Sequence, residues 1–260
     1  MFHSVLIPHR DRNTHLGLCL WALDRSACLC GDSRWEAVVV DCGSRELPGG
    51  EGPNLQVLLD REAPEEFNKS RAYNLAIDRA RGDILTFLDA DAIVGKRFLE
   101  AALCLEDASL DRCCYRVRYL PMCEDLRIET AEDRGAYVDE LFGDYDQYRR
   151  GMEAYGNYGT NVPEPHNGQK NPWGNSQFSI TREKLGDLRF SEEIGWGIED
   201  INMNMRLQAQ FGNGYRGVIF TDPDHAMFHL EHPERAWNNN RFLASKRRLH
   251  LLDRKRLMGR

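Results

Sequence analysis

Short apolar runs alternate with helix-like segments along residues 1–90. The runs at 4–8, 35–41, 55–59 and 83–88 have the length and the aliphatic or β-branched content of buried strands. Between them, leucines recur at helical spacing from residue 16 to residue 23, and residues 67–80 predict a second helix. Strands that alternate with helices in this way predict βαβ units, and therefore an α/β fold with a mainly parallel central sheet flanked by helices.

The second half of the chain has a weaker pattern. Residues 124–159 are polar and rich in tyrosine, and residues 161–174 are rich in Pro, Gly and Asn. A loop of that length inside a compact domain is usually functional. The elements expected beyond it are a strand at 176–181, a helix that follows Gly195 and stops at Gly212, short strands at 217–220 and 226–230, and a final basic helix opened by Pro233.

Charged and polar residues follow the ends of three predicted strands. They are Pro8, His9, Arg10 and Arg12 after the first strand, Asp41 after the second, and Asp89, Ala90 and Asp91 after the fourth. In a parallel sheet, ligands bind beyond the carboxyl ends of the strands, so these side chains are expected to converge. Because the planar fork of arginine suits phosphate and paired carboxylates suit a divalent metal, the sequence predicts a site for a nucleoside diphosphate held through a metal.

The pair formed by Asp89 and Asp91 needs a further ligand to make a metal site. Taken alone, such a pair is weak evidence, since acidic side chains often simply solvate the end of a strand. His225, His229 and His232 cluster before the final helix, and one neutral imidazole would complete the site. His229 is the predicted ligand and His232 is the reserve.

A second acidic pair, Glu199 and Asp200, opens a predicted helix behind Gly195, Trp196 and Gly197. Two acids in a first helical turn are commonly caps that the helix dipole stabilises. Alternatively, the tryptophan and glycines form an apolar wall for a sugar ring, and the acid beside it accepts a hydroxyl proton. In that case we expect the dipole to lower the pKa of the acid.

The charge of the chain is unevenly distributed. The net charge is −7, yet residues 246–260 contain seven Lys or Arg and one Asp, a balance of +6 that leaves −13 for the remainder. The acidic body argues against general nucleic-acid binding. The basic tail is either a solvated helix face with Leu249, Leu252 and Leu257 turned to the body, or a contact for anionic phospholipid or another anionic acceptor.

The cellular compartment is predicted from the lack of a membrane span and of a signal peptide, and from the spacing of the cysteines. No apolar run approaches the roughly 20 residues that cross a bilayer, and the first residues lack the pattern of a signal peptide. We therefore expect a cytoplasmic protein, peripheral at the membrane if the tail binds lipid. The eight cysteines show no C-x-x-C spacing, which favours buried free thiols.

Four motifs together resemble the GT-A glycosyltransferases. They are IPHRDRNTHL, FNKSRAYNLAIDRARGDILTFLDAD, GWGIEDINMNMRL and the histidine of MFH, and they run from Val5 to about His232. Within that fold the chain looks most like the β-galactosyltransferase type, with wider similarity to family 2 transferases and to chondroitin-polymerase-like domains. The resemblance implies a single GT-A (Rossmann-like) domain at 1–232, with a nucleotide-binding half at about 1–123 and an acceptor-binding half at 124–232, followed by the basic helix at 233–260.

The resemblance also implies a role for each matching residue. The nucleotide and diphosphate would be lined by Pro8, His9, Arg10, Arg12 and Ala90, with Asp41 facing the uracil and either Lys69 or Arg71 reaching the donor. Asp91 and His229 would be direct ligands of Mn²⁺ or Mg²⁺, and Asp89 would act through water or the ribose. Trp196, Gly197 and Glu199 would hold sugars, and Asp200 would be the base. Ile198 stands where the family usually has a second glycine, and this replacement would stiffen the loop that contains Trp196 and Gly197.

The implied reaction is a metal-dependent, inverting transfer of a hexose or N-acetylhexosamine from a UDP-sugar to the hydroxyl of a glycan or other acceptor. A retaining transferase on the same fold is the first alternative, although retaining relatives often carry E-N where this chain has Glu199 and Asp200. A nucleotidyltransferase shares the α/β layout and the use of metal. A non-catalytic nucleotide-sugar-binding module is the third alternative.

Overall fold

The computed structural model describes the following residues: 1–31, 34–49, 52–115, 117–120, 132–133, 136–138, 163–165, 177–212, 216–220, 224–225, 227–230 and 240–258. The strands are β1 (His3–His9), β2 (Trp35–Asp41), β3 (Leu55–Leu59), β4 (Ile84–Phe87), β5 (Ala92–Val94), β6 (Arg112–Tyr115), β7 (Val117–Leu120), β8 (Pro163–Pro165), β9 (Phe178–Thr181), β10 (Arg216–Phe220) and β11 (Met227–Leu230). The helices are α1 (Asn13–Cys30), α2 (Lys69–Arg79), α3 (Phe98–Ala101), α4 (Arg182–Leu185), α5 (Glu199–Phe211) and α6 (Asn240–Met258), with a 3₁₀ segment at Ala102–Glu106.

The described strands form two sheets. The larger has the order β3-β2-β1-β4-β9-β6-β10-β8, and the smaller has the order β5-β11-β7. The first four strands of the larger sheet are parallel, whereas β9 runs antiparallel to both β4 and β6. The predicted α/β fold with a mainly parallel central sheet is therefore confirmed.

Helices cover both faces of the parallel strands. Alternate residues of β1 point to opposite faces, so Val5 packs in the cluster that contains α1 residues, while Leu6 packs in the cluster that contains α2 residues. Every residue of β1 and of β2 is buried. Burial on both faces explains why these strands read as continuous apolar runs rather than as alternating ones.

Several elements differ from the sequence-based expectations. The 3₁₀ segment and strands β5, β6, β7 and β8 were not predicted, because they are short and lack a clear hydrophobic period. The final helix is described from Asn240, and Pro233 lies outside the described residues. The proposed boundaries of the two halves stay a prediction.

The described cysteines are free thiols, as predicted. Cys19, Cys42, Cys113 and Cys114 are buried, Cys28 is exposed, and Cys123 lies outside the described residues. Burial raises the pKa of Cys42 to about 12, so this thiol stays protonated. None of the helices in the described part of the chain combines the length and the apolar character needed to cross a bilayer.

Candidate active site

The ends of β1 and β2 meet at one edge of the sheet. These two strands pair in parallel with His9 opposite Asp41, and His9 Nδ1 lies 2.9 Å from Asp41 Oδ1. The backbone N–H of Ser44 donates to Asp41 Oδ2 over 3.2 Å, and the Ser44 hydroxyl donates to Oδ1. Both His9 and Asp41 are buried, so this hydrogen-bonded pair is shielded from solvent beside the strand ends.

Arg12 and His229 converge on Asp91. Arg12 Nη1 lies 2.5 Å from Asp91 Oδ2, and His229 Nε2 lies 3.2 Å from Asp91 Oδ1. Strand pairing brings the histidine here, because β11 runs antiparallel to β5 with His229 opposite Ala92. The backbone N–H of Leu230 also donates to the carbonyl of Asp91 over 2.9 Å.

Asp89, Asp91 and His229 form a cluster that could hold a metal ion. One ligand atom from each, a carboxylate oxygen or an imidazole nitrogen, lies within 4.8 Å of the other two. The two carboxylates suit Mg²⁺ or Mn²⁺, whereas the imidazole favours a transition metal, so the mixed set fits Mn²⁺ better than Mg²⁺. The structure thus brings together the three predicted metal ligands, while the reserve ligand His232 lies outside the described residues.

Asp89 is held by three side chains. Lys69 Nζ lies 2.5 Å from Asp89 Oδ1, the Tyr73 hydroxyl donates to Oδ1 over 3.2 Å, and Gln177 Nε2 donates to Oδ2 over 3.2 Å. Burial opposes ionisation, but the charge and hydrogen bond of Lys69 outweigh it and lower the pKa of Asp89. Asp89 is therefore an anion at neutral pH.

Lys69 also reaches the second acidic pair. Its Nζ lies 3.0 Å from Glu199 Oε1, and the backbone N–H of Gly197 donates to Glu199 Oε2 over 2.6 Å. Burial alone would lower the pKa of Lys69, but the charges of Asp89 and Glu199 raise it well above its usual value. Lys69 is therefore a permanent buried cation between the two acidic motifs.

Asp200 departs from the expectation that the helix dipole lowers its pKa. Burial, together with the negative charge of Glu199, raises the pKa of Asp200 to about 6. The backbone N–H of Ile201 donates to Asp200 Oδ1 over 2.8 Å, which favours the anion but does not overcome these two effects. The expected lowering was wrong because desolvation of a buried carboxylate exceeds the local stabilisation from the helix start.

The loop before α5 is tied to the start of α2. The backbone N–H and the hydroxyl of Ser70 each donate to the carbonyl of Gly195 over 2.9 Å. Gly195 and Gly197 have φ values of 67° and 112°, which favour glycine. Ile198 is buried and Trp196 is half-buried, and the apolar wall expected beside Glu199 stays a prediction.

Two predicted donor-binding arginines are directed elsewhere. Arg71 Nε and Nη2 bind the carboxylate of Asp60 at 2.8 and 3.2 Å, and Arg10 Nη1 donates to the carbonyl of Glu65 over 2.8 Å. Of Lys69 and Arg71, it is therefore Lys69 that contacts the metal-ligand cluster. Pro8 is buried near the end of β1, and Ala90 is buried between β4 and β5.

Sequence analysis missed three residues of this site. Tyr73 lies one helical turn after Lys69, a spacing that could have identified it. Ser44 lies just after β2, three residues beyond Asp41. Gln177 directly precedes β9 and carries no local signal, because only the pairing of β9 with β4 brings it beside Asp89.

Comparisons with known proteins bear on the family and the fold of this chain. Residues 4–119 match the family model described as glycosyl transferase family 2. That range contains Arg12, Lys69, Asp89 and Asp91, whereas Asp200 and His229 lie outside it. A search of the curated proteins by sequence found no match.

Solved structures of S. aureus TarS share the fold. TarS 1–349 superposes with a TM-score of 0.60 at 16% identity, and the match covers 97% of this chain and 65% of that one. Its complexes with UDP and with UDP-GlcNAc give TM-scores of 0.55 and 0.56 at 17% and 16% identity, each over 97% of this chain and 65% and 66% of theirs. This chain thus spans just under two thirds of the TarS fragment. The predicted GT-A fold and the resemblance to family 2 are confirmed.

Proposed function

We propose that this chain, a GT-A protein whose first half matches the family 2 glycosyl transferases, moves a hexose or N-acetylhexosamine from a UDP-sugar to an acceptor hydroxyl with inversion. The observation that carries the proposal is the cluster of Asp89, Asp91 and His229 at the carboxyl ends of the strands. Lys69 connects this cluster to the acidic pair that contains Asp200. In this proposal Lys69 therefore lies between the site that binds the donor phosphate and the site of the base.

The side chains around the cluster suit a metal-bound diphosphate. The ion, when bound by Asp89, Asp91 and His229, would supply positive charge to the leaving phosphate. Arg12 lies against Asp91 and offers a guanidinium that binds phosphate oxygens through its planar fork. Lys69 neutralises Asp89 from the buried side, which limits the excess negative charge that a diphosphate would meet.

Asp200 is the proposed base. A pKa of about 6 leaves it mostly ionised at neutral pH, yet makes it a stronger proton acceptor than an ordinary aspartate. The acceptor oxygen forms a bond to the anomeric carbon from the face opposite UDP, the bond from that carbon to the phosphate oxygen breaks, and the hydroxyl proton passes to Asp200. Trp196 provides an apolar surface against which a sugar ring can pack.

The donor class is supported by the structural relatives. TarS has been solved with UDP and with UDP-GlcNAc, and this supports a UDP-sugar, with N-acetylglucosamine as one candidate, for the present chain. In this proposal the buried pair of His9 and Asp41 faces the uracil, and a glycan or another hydroxyl compound is the acceptor. The cytoplasmic location stays a prediction.

The test is a screen of nucleotide sugars with Mn²⁺, in which thermal stabilisation and then slow release of UDP are measured. We expect a UDP-sugar to stabilise the protein in a metal-dependent manner and to be hydrolysed slowly. Release of pyrophosphate from a nucleoside triphosphate would instead indicate a nucleotidyltransferase, and tight UDP binding without turnover on any acceptor would indicate a binding module. Proton NMR of the anomeric centre of the product separates inversion from retention.

A further inference from the structure

One face of the C-terminal helix α6 is attached to the body of the protein. Asp253 Oδ2 lies 2.7 Å from Arg206 Nη2 and accepts a hydrogen bond from Asn202 Nδ2 over 2.9 Å, and both partners are on α5. Leu249 and His250, which lie four and three residues before Asp253 and share its face, are half-buried. These contacts set the rotation of α6 about its axis.

Between residues 246 and 257, the exposed side chains of α6 are all cations or leucines: Arg247, Arg248, Leu251, Leu252, Arg254, Lys255, Arg256 and Leu257. Of these, Leu251, Leu252 and the cations Arg247, Arg248 and Lys255 form the outward face, whereas Arg256 and Leu257 lie three and four residues after Asp253 and share its side of the helix. Leu251 and Leu252 are 53% and 54% exposed. Asp253, which is the acidic residue of this helix, is turned inward to Arg206, so the outward face carries no negative side chain.

This arrangement contradicts one sequence-based interpretation of the tail. Leu249, Leu252 and Leu257 were expected to face the body of the protein, but Leu252 and Leu257 are exposed and Leu249 alone is half-buried. The spacing i, i+3, i+8 would allow the three leucines to share one face, but the contacts of Asp253 with α5 set the rotation of the helix and leave only Leu249 partly covered.

The exposed leucines lie between cations. Residues four apart are neighbours on a helix surface, so Leu251 lies between Arg247 and Lys255, and Leu252 lies between Arg248 and Arg256. Two adjacent rows with a central leucine and a cation at each end therefore form one surface. Exposed leucines flanked by cations combine the two kinds of side chain with which helices bind at the interface of an anionic bilayer.

We infer that the outward face of α6 docks this protein on an anionic lipid bilayer. The cations would be attracted to the headgroups while the leucines enter the acyl boundary, so every exposed group gains a favourable environment. A dissolved polyanion would satisfy the cations but would leave the leucines in water. Bilayer docking by α6 is independent of the proposed glycosyl transfer.

Docking would bring the acidic pair of α5 close to the membrane. Helix α6 packs on α5, which begins with Glu199 and Asp200. Lys246 reaches the loop before α5, where a Cβ built on Gly195 would come within 3.1 Å of Lys246 Nζ. An acceptor exposed at the bilayer surface would therefore lie on the side of the proposed base.

The test is co-sedimentation of the full chain with vesicles, without any donor sugar. We expect binding to vesicles of phosphatidylcholine with phosphatidylglycerol, weakened by salt, and little binding to phosphatidylcholine alone. Replacing Arg247, Arg248 and Lys255 by Gln should weaken binding by about fivefold per residue, the fold-change that corresponds to about 1 kcal/mol per cation at an anionic surface. Leu251→Ser with Leu252→Ser should weaken it while the charge is unchanged.

The matched control carries Arg61→Gln and Arg79→Gln, which remove exposed cations at the far edge of the sheet and should leave vesicle binding unchanged. Circular dichroism and thermal unfolding establish that each variant is folded. Equal binding to both vesicle types would overturn the inference. So would unchanged binding of the serine variant, which would indicate that the surface recognises polyanions rather than a bilayer.

Discussion

The ammonium of Lys69 lies 3.0 Å from Glu199 Oε1, and the same nitrogen lies 2.5 Å from Asp89 Oδ1. One buried cation therefore connects the acidic motif that follows β4 to the acidic motif that opens α5. Both carboxylates are largely withdrawn from water, so each depends on this cation for charge compensation. The geometry of the proposed metal site and that of the proposed base are consequently coupled.

Replacing Lys69 by methionine should destabilise the fold by about 3–5 kcal/mol, because two buried carboxylates lose their shared counter-charge. Removal of the ammonium raises the folded-state pKa of the Asp89 carboxyl, so the deficit should be largest at neutral pH and should shrink as the pH falls and Asp89 protonates. Urea unfolding at several pH values measures this. Lys69→Arg retains the positive charge and should lower the free energy of unfolding much less than Lys69→Met does. The control is Arg189→Met, which breaks the more exposed ion pair with Asp78 and should lower the free energy of unfolding by at most about 1 kcal/mol.

Asp200→Asn should abolish transfer while leaving UDP binding intact, because the amide cannot accept the hydroxyl proton. Loss of a general base typically lowers the rate by about 10²–10⁴-fold. Product formation and UDP affinity should be measured on the same preparation. Asp78→Asn, at an exposed position on α2, is the control and should retain parental turnover. Parental turnover in Asp200→Asn would remove Asp200 from the mechanism.

The raised pKa of Asp200 gives a pH dependence with a defined sign. Since its folded pKa of about 6 lies above the ordinary value of 3.8, kcat/KM should fall as the pH drops through about 6 and the base is protonated. The same shift destabilises the folded state above that pH by up to about 3 kcal/mol. Asp200→Asn should therefore be more stable than the parent at neutral pH and should show no advantage near pH 4. A stability difference between Asp200→Asn and the parent that is the same at both pH values would contradict the shift.

His229→Ala should reduce the thermal stabilisation that Mn²⁺ and UDP produce together, because one of three ligands is lost. A ligand at about a hundredfold above its Kd stabilises by about 2.7 kcal/mol, so the loss is measurable by thermal unfolding with and without metal. His225→Ala is the matched control, since His225 packs on Phe220 instead of joining the cluster, and its response to metal should equal that of the parent.

Arg12 and Arg71 should differ sharply in their effect on UDP binding. Arg12→Ala removes a cation beside the metal-ligand cluster and should weaken binding by about 10–100-fold, the range expected for a hydrogen bond to a charged group. Arg71→Ala removes a partner of Asp60 and should reduce stability while changing UDP affinity little. Isothermal titration of both variants distinguishes the two roles, and a large affinity loss in Arg71→Ala would return that residue to the donor site.

The pattern of apolar runs was sufficient to predict the four parallel strands β1 to β4 of the larger sheet. Strands β1, β2 and β4 are buried on both faces, so their length and composition carry the strand signal locally, and the parallel arrangement follows from the helices between strands. The convergence of Arg12, Asp41, Asp89 and Asp91 followed from the same pattern, because parallel strands end at one edge. The short strands β6 and β7 carry no such local signal and were missed.

The sequence by itself determined which chemical groups stand at the carboxyl ends of the strands. Only the tertiary structure decided which distant groups meet them: His229 through the pairing of β11 with β5, Gln177 through β9, and Glu199 through Lys69. It also decided the direction of the pKa shift of Asp200 and the exposure of the leucines on α6. The physical reason is that periodicity records how a residue relates to its own element, whereas burial and charge compensation depend on residues far away in the chain.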